Sequence, residues 1–412
     1  MPGVGHRVEV AAESGTLSES GLRRVLVVLC GTEIVSWGVL YYAFPVLAPS
    51  IATSTGWSIS ATTAAFSTGL VVSALLGIPV GRWLDRVGPR PIMTTGSILA
   101  VPAVVGIALA PTLSWFFAAW ILAGVAMAGT LYPPAFAALT RWWGPRRVTA
   151  LTALTLLAGL ASTIFAPLTA ALLEQLPWRH TYLTLAAILG LLTIPAHLWG
   201  LRGRWPHPHD TDAAGPVADA PDAVARSRAF LFLVAAVALG TFSAFAVVVN
   251  QVPLLIERGM STSAAAWALG LGGLGQVLGR LGYRRLVAAT TVRMRGVLIL
   301  VLTATATALL GLLPGPAALL IVAAMLAGAA RGVFTLLQAT AISDRWGATH
   351  YGRLNGLLSA PALLATALAP WAGAALAQAL GGYPAVFVVL AGLAALAAVL
   401  ATGSIPAHRP RP

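Results

Sequence analysis

Long apolar stretches separated by short polar breaks set the rhythm of this chain. Apolar runs occupy approximately 24–49, 59–81, 91–110, 113–139, 149–173 and 180–201. After a polar interval they resume at about 229–256, 263–283, 296–313, 316–342, 353–379 and 383–403. A helix needs roughly 20 apolar residues to cross a bilayer core of about 30 Å, and each run is long enough to do so with some tilt. The pattern predicts twelve spans as six, a linker and six. That divides the chain into an N-terminal six-helix bundle (1–201), a linker (202–228) and a C-terminal six-helix bundle (229–412). Pro, His, Asp and Arg without apolar periodicity fill the linker, which reads as a flexible tether.

The two halves resemble one another. LASTIFAPLTAALLEQ at 160–175 answers to LLATALAPWAGAALAQ at 363–378, so that Pro167 matches Pro370 and Gln175 matches Gln378. Arg141-Trp142 matches Arg345-Trp346, and GRWLDR at 81–86 is similar to GRLGYR at 279–284. A parallel repeat of this kind places a substrate cavity between the halves near mid-membrane.

Composition agrees with a lipid environment. Hydrophobic residues make up 58% of the 412 and charged residues 9%, against about 25% charged in soluble domains. The net charge of +13 does not point to nucleic acid, because the basic residues sit in short clusters between apolar runs. All 25 are Arg. With the N-terminus in the cytoplasm, 21 of them fall on the cytoplasmic side and only Arg179 and Arg258 on the other. The positive-inside rule therefore predicts that both termini are cytoplasmic, in a multi-pass protein of the cell (inner) membrane. The polar N-terminus lacks the pattern of a cleaved signal. Cys30 is the only cysteine, so there is no disulfide framework and no thiol metal site. No metal spacing, nucleophile–base set or phosphate loop is visible, and neither an enzyme nor a cofactor is expected.

Gly81-Arg82-Trp83-Leu84-Asp85-Arg86-Val87-Gly88-Pro89-Arg90 lies between the second and third spans. It resembles the loop motif of the major facilitator superfamily, G-x-x-x-D-R-x-G-R-[RK], with Pro89 in place of an Arg. In this conformational motif Gly81 and Gly88 permit a tight turn and Arg86 and Arg90 hold the loop in the cytoplasm. Asp85 can cap a helix N-terminus or pair with an Arg across the half-to-half interface. The resemblance implies the all-α, twelve-helix fold of two pseudo-symmetric bundles and secondary transport by alternating access. Ser36-Trp37-Gly38-Val39-Leu40-Tyr41-Tyr42-Ala43-Phe44-Pro45, Thr55-Gly56-Trp57-Ser58, Tyr132-Pro133-Pro134 and Arg141-Trp142-Trp143 with Arg146-Arg147 narrow it. These patches look like bacterial monocarboxylate-transporter-like and oxalate/formate-antiporter-like proteins. Two departures stand out. Val46-Leu47 replaces the Lys that animal monocarboxylate transporters carry after Tyr-Ala-Phe-Pro, and no Asp lies near Gly275–Arg280.

Glu33 is the one acid inside a span, about nine residues past Arg24 and roughly 13 Å deep at 1.5 Å per residue. A charge there costs at least ~2.5–3.5 kcal/mol, which makes a proton-carrying role or a hydrogen-bonded structural carboxyl the two readings. Arg331 lies near mid-depth of the tenth span. Its guanidinium fork matches a carboxylate, or else it tethers helices through carbonyls or Glu33. Arg280, four residues from Arg284-Arg285, is expected to snorkel to the interface. Tyr41, Tyr42, Asn250, Gln251, Gln276, Gln338 and Asn355 either line the cavity or bond between helices. Trp37 and Trp120 read as packing, His197 as interfacial, and Gly272-Gly273 as close helix contact. The leading expectation is a proton-coupled carrier of a small organic anion. Its partners are then a small-molecule substrate, the proton gradient and the lipid bilayer, with the protein acting as a monomer. An exporter of a drug, metabolite or metalloid conjugate is the alternative, and a membrane sensor or embedded enzyme lacks the soluble domain or catalytic set it would need.

Overall fold

A computed structural model describes residues 17–205, 221–346 and 351–406. Arg7, Arg409 and Arg411, which enter the orientation argument, lie outside the described residues. Among the described residues there are twelve long helices, and eleven are apolar and long enough to cross a membrane. They are α1 (Glu19–Thr55), α2 (Ile59–Val87), α3 (Pro89–Ala108), α4 (Leu113–Trp143), α5 (Thr149–Gln175) and α6 (Trp178–Gly200). The second six are α7 (Arg228–Glu257), α8 (Thr262–Ala289), α9 (Val292–Leu312), α10 (Ala317–Thr340), α11 (Tyr351–Leu380) and α12 (Tyr383–Thr402). The exception in apolarity is α8, whose sequence spends positions on glycines, Gln276 and Arg280. The helix starts follow from sequence. Ser58, Thr112, Ser227, Ser261 and Thr291 each accept the backbone N–H three residues on, satisfying donors that lipid cannot. Gly56, left-handed at φ 73°, closes α1.

The expected pairing of two six-helix bundles is present. Within the first half α3 packs on α4 and α6, and α2 on α4; within the second α9 packs on α10 and α12, and α8 on α10. Between halves, α2 meets α11 and α5 meets α8, the two contacts being equivalent under the repeat. Pro167 and Pro370 sit inside α5 and α11. Pro167 covers Gly270 of α8, and the Pro370 carbonyl accepts from Asn250 of α7 at 3.4 Å.

Glycine lets backbones touch where the bundles are tightest. A Cβ on Gly124 would run into the carbonyl of Gly69, and one on Gly328 into the carbonyl of Gly272. The α2–α4 and α8–α10 pairs thus use glycines 203 or 204 positions apart, the same offsets as Pro167 and Pro370 and as Arg141 and Arg345. Gly275, Gly279 and Gly332 extend the α8–α10 contact against Met325, Ala329 and Gln276. This small-residue packing is the usual means of helix association in lipid, where burial of apolar surface supplies no drive. Large apolar side chains point outward instead: Val27, Leu191 and Leu312 are mostly exposed.

Three helices of the first half are interrupted near mid-depth. Helix α1 widens into a single π-turn over Gly38–Tyr42, and α4 breaks at Leu131, which is extended just before Tyr132-Pro133-Pro134 restarts the helix. Pro is at ease at a helix start and biases the preceding residues away from helix. Helix α5 breaks in a turn at Gly159–Leu160. In membranes irregular backbone survives only inside protein or along a cavity, so these breaks locate the interior of the molecule.

The halves separate toward the side where α1 begins and α12 ends. In α2, Thr62, Thr63, Ala65, Phe66, Ser67, Gly69 and Leu70 are buried, whereas no residue from Val71 to Trp83 is. Ser67 ties the closed side by accepting from the Trp371 backbone N–H at 3.1 Å. The linker is less loose at its ends than its composition suggests. Arg24 donates to the carbonyls of Gly200 and Arg202 at 3.2 and 2.5 Å, and Trp205 packs on Gly88 and donates to the Asp85 carbonyl at 3.1 Å. Residues 206–220 lie outside the described residues.

Replacing Gly328 by Val should lower the detergent-solubilised unfolding midpoint, because overpacking of a close-packed contact costs about 1–3 kcal/mol and backbone is on the other side. Gly392→Ala in α12, where a Cβ meets nothing, should leave the midpoint unchanged or raise it slightly. Equal midpoints for both variants would contradict the packing described.

Candidate functional site

Glu33 stands about one and a half turns before the π-turn of α1, on the buried face. It is wholly buried, and neither carboxylate oxygen has a hydrogen-bond partner. The Trp37 indole N–H, one turn on, faces it without reaching hydrogen-bond geometry.

An aromatic cluster stands above this carboxyl. Trp37 lies edge-on to Tyr41 at 5.3 Å between ring centroids and tilted against Tyr132 at 5.0 Å and Tyr42 at 6.4 Å. Tyr41 contacts Tyr42 at 5.2 Å and Phe245 of the second half at 6.4 Å. The π-turn is what brings Trp37, Tyr41 and Tyr42 together, since the extra residue re-aims the side chains that follow; such turns concentrate at functional sites. It is seated by Gly38, whose missing Cβ is replaced by the Phe165 ring. Tyr132 arrives from the restart of α4 at the Pro133-Pro134 pair. Trp37 thus packs against three tyrosines beside Glu33. Trp120, by contrast, packs among Phe44, Phe66 and Phe116, as expected.

The second half answers with cations. Arg331 of α10 is buried and donates to Gln276 Oε1 of α8 at 2.8 Å. The Gly-mediated contact of these two helices fixes that geometry. Tyr41 and Tyr132 lie within electrostatic reach of Arg331. Arg280 corrects the expectation of snorkelling. Only 6% of it is exposed; it donates to the Thr155 carbonyl of α5 and faces Tyr132, Tyr42 and Arg331. The Thr155 carbonyl, which also accepts the Gly159 backbone N–H at 3.1 Å, has a second lone pair for the guanidinium, so an inward route satisfies Arg280 without the interface. Among the described residues, no acid forms an ion pair with Arg280 or Arg331.

Other candidates sort differently. Asn250 donates to the Ala246 carbonyl at 2.9 Å as well as to Pro370, tying α7 to α11. Gln338 donates to Thr241 Oγ1 at 2.6 Å, tying α10 to α7. Both are helix tethers. His197 is fully buried and its Nδ1 pairs with Ser97 Oγ at 2.8 Å, which corrects the interfacial reading: α3 and α6 pack closely enough to enclose it. In the loop motif, Asp85 pairs with Arg141 of α4 at 2.8 Å, within its own half rather than across halves. Arg141 also stacks on Trp205 at 4.6 Å. Gly88 turns with φ 83°, Arg90 donates to the Leu198 carbonyl at 2.8 Å, and Gly81 and Arg86 are exposed.

The Major Facilitator Superfamily family matches residues 29–305 and again 231–412. The chain belongs to the major facilitator superfamily. It is 28% identical to monocarboxylate transporter 13 of Rattus norvegicus over 249 residues, 60% of this chain and 55% of that one. It is 30% identical to monocarboxylate transporter 11 of Homo sapiens over 213 residues, 49% of this chain and 43% of that one. The chain spans about half the length of the curated relatives it matches. By fold it is similar to a bacterial homologue of the human lysosomal transporter Spinster, solved inward-facing and occupied, with a TM-score of 0.74 at 17% identity over 93% of this chain and 97% of that one. It is also similar to the nucleoside transporter NupG, with a TM-score of 0.71 at 14% identity over 93% of this chain and 100% of that one. The superfamily and the relatives are membrane transporters, not enzymes.

Removing the acceptor beneath Arg331 should cost more than an ordinary contact. Gln276→Leu leaves a buried guanidinium unsatisfied, so a loss of about 1.5–3 kcal/mol is expected in denaturant unfolding in detergent. Gln276→Glu, which keeps an acceptor, should retain most of that stability.

Proposed function

We propose that this superfamily member is a secondary active transporter that couples protons to the movement of a small, monocarboxylate-like organic anion. One observation carries the reading. A buried carboxyl without a basic partner, Glu33, and a buried guanidinium without an acid, Arg331, belong to opposite halves and border one aromatic cluster. In lipid both charges are costly unless an exchangeable species compensates them. A proton on Glu33 and an anion against Arg331 neutralise the site together, whereas either alone leaves an uncompensated charge. That is the logic of coupling. Gln276 orients Arg331, and Tyr41 and Tyr42 offer hydroxyls and apolar faces to the body of the solute.

The domain division at 1–201, 202–228 and 229–412 completes this reading, with both termini in the cytoplasm of a cell (inner) membrane. With that orientation, the opening along α2 faces inward. The motif residues Gly81, Asp85, Arg86, Gly88 and Arg90 act as a gate that loosens or re-forms as the halves rock. The names of the relatives, monocarboxylate transporters 13 and 11, support the anion class. No cofactor is required, and a monomer suffices.

The test is uptake of labelled monocarboxylates into proteoliposomes under an imposed inward proton gradient. Glu33→Gln should abolish gradient-driven accumulation while leaving anion exchange. Arg331→Ala should weaken substrate binding by about 10- to 100-fold, the loss of a charge-assisted bond. If no monocarboxylate moves, or both variants match wild type, the reading fails and export of an unrelated compound takes its place.

A further inference from the structure

A small polar cavity beside Arg331 lies inside the C-terminal bundle. It is bounded by α7, α8, α9 and α10, and its polar wall is Gln251, Thr303, Thr307 and Arg331. Ala244, Val247, Leu269 and the small residues Gly272, Ala324 and Gly328 close the rest. The space admits the centre of a water-sized sphere over about 20 Å³, enough for one such centre, since about 10–15 Å³ holds a water. The walls do not yield readily, because Gly272 and Gly328 bring backbone against backbone.

Polarity of the wall identifies the occupant. Gln251 is 3% and Arg331 7% exposed, and each has a buried nitrogen, Nε2 and Nε, with no partner. Both are donors. Thr303 and Thr307 give their hydroxyl protons to the carbonyls of Ile299 and Thr303 at 2.9 and 2.8 Å. No lining residue is acidic, and no ion pair reaches Arg331 among the described residues. Water would satisfy the donors but leave the charge. An acceptor that carries a negative charge satisfies both requirements, and a buried unpaired polar group is the kind of exception that calls for an explanation of this sort.

We infer that this cavity is an anion subsite for a single negatively charged acceptor, either a resident halide or the charged end of a carboxylate. Size favours a monatomic ion or one carboxylate oxygen over sulfate or phosphate. The site shares Arg331 with the proposed carrier but needs no transport to be observed, so each can fail without the other.

The experiment is halide binding to the purified full chain. Chloride or bromide replacing gluconate should raise the unfolding midpoint in a saturable way, and bromide should give an anomalous diffraction peak between Gln251 and Arg331. Gln251→Leu should weaken the halide response at least tenfold. Gln251→Glu, which places a fixed negative charge there, should abolish the response while retaining the fold. Displacement of bromide by a monocarboxylate assigns the subsite to the carboxylate, and simultaneous binding assigns it to a resident halide; either supports the inference. No halide response in a well-folded wild type, with no bromide peak at the cavity, overturns it.

Discussion

Backbone contact between α8 and α10 is the constraint on which the second half of the site rests. Lipid offers helices no hydrophobic reason to associate, so close approach must do the work. Gly272, Gly275 and Gly279 on α8 interleave with Met325, Gly328, Ala329 and Gly332 on α10. The register that results sets Gln276 opposite Arg331, and their 2.8 Å bond follows from that register. Were either helix turned or displaced by one side chain's width, a buried guanidinium would lose its neutral acceptor. The same contact makes one wall of the small cavity beside Arg331 rigid.

The first half is organised in the opposite way. Its three mid-depth irregularities, the π-turn at Gly38–Tyr42, the break at Leu131 and the turn at Gly159–Leu160, all surround Glu33 and its aromatic cluster. Each supplies something a straight helix cannot. The π-turn gathers two tyrosines beside Trp37, the α4 break delivers Tyr132, and the Thr155 carbonyl in the turn before the α5 break accepts from Arg280. The second half has no comparable interruption in α7, α8 or α10. Acid and aromatics are therefore carried by broken helices, and cations by helices locked together.

How much of this can be read from sequence depends on the scale of the signal. The spans are legible because the demand for roughly 20 apolar residues is met separately in all of them but α8, and the repeat is legible from pairs such as Pro167 and Pro370. Glu33 and Arg331 stood out because charge in lipid is rare, and Gly272-Gly273 read correctly as a packing contact. Arg280 did not, since its nearness to Arg284-Arg285 suggested an interface, while the decisive carbonyl of Thr155 is 125 residues away. His197 and its partner Ser97 are likewise 100 positions apart. Asn250 and Gln338 looked equally suited to cavity or tether because a neutral amide serves both. The π-turn leaves no signature in the sequence. The Tyr132-Pro133-Pro134 break was signalled by its prolines, though its meaning for the site was not.

The division of charge between the halves bears on how they could move relative to each other. If Glu33 and Arg331 formed a direct ion pair, their mutual attraction would hold the halves together without substrate, and an ion pair in low dielectric is costly to part. The structure avoids this. Glu33 faces Trp37, Arg331 bonds Gln276 within its own half, and aromatic rings stand between the two. Arg280 does cross, but to a backbone carbonyl of α5, a neutral acceptor. The interface is therefore fastened by modest bonds, such as Trp371 to Ser67 and Thr163 to the Gly270 carbonyl at 2.8 Å, each worth about 0.5–1.5 kcal/mol. With no acid paired to a base across the halves among the described residues, the seam is held by neutral acceptors and modest bonds rather than by an ion pair that would be costly to part.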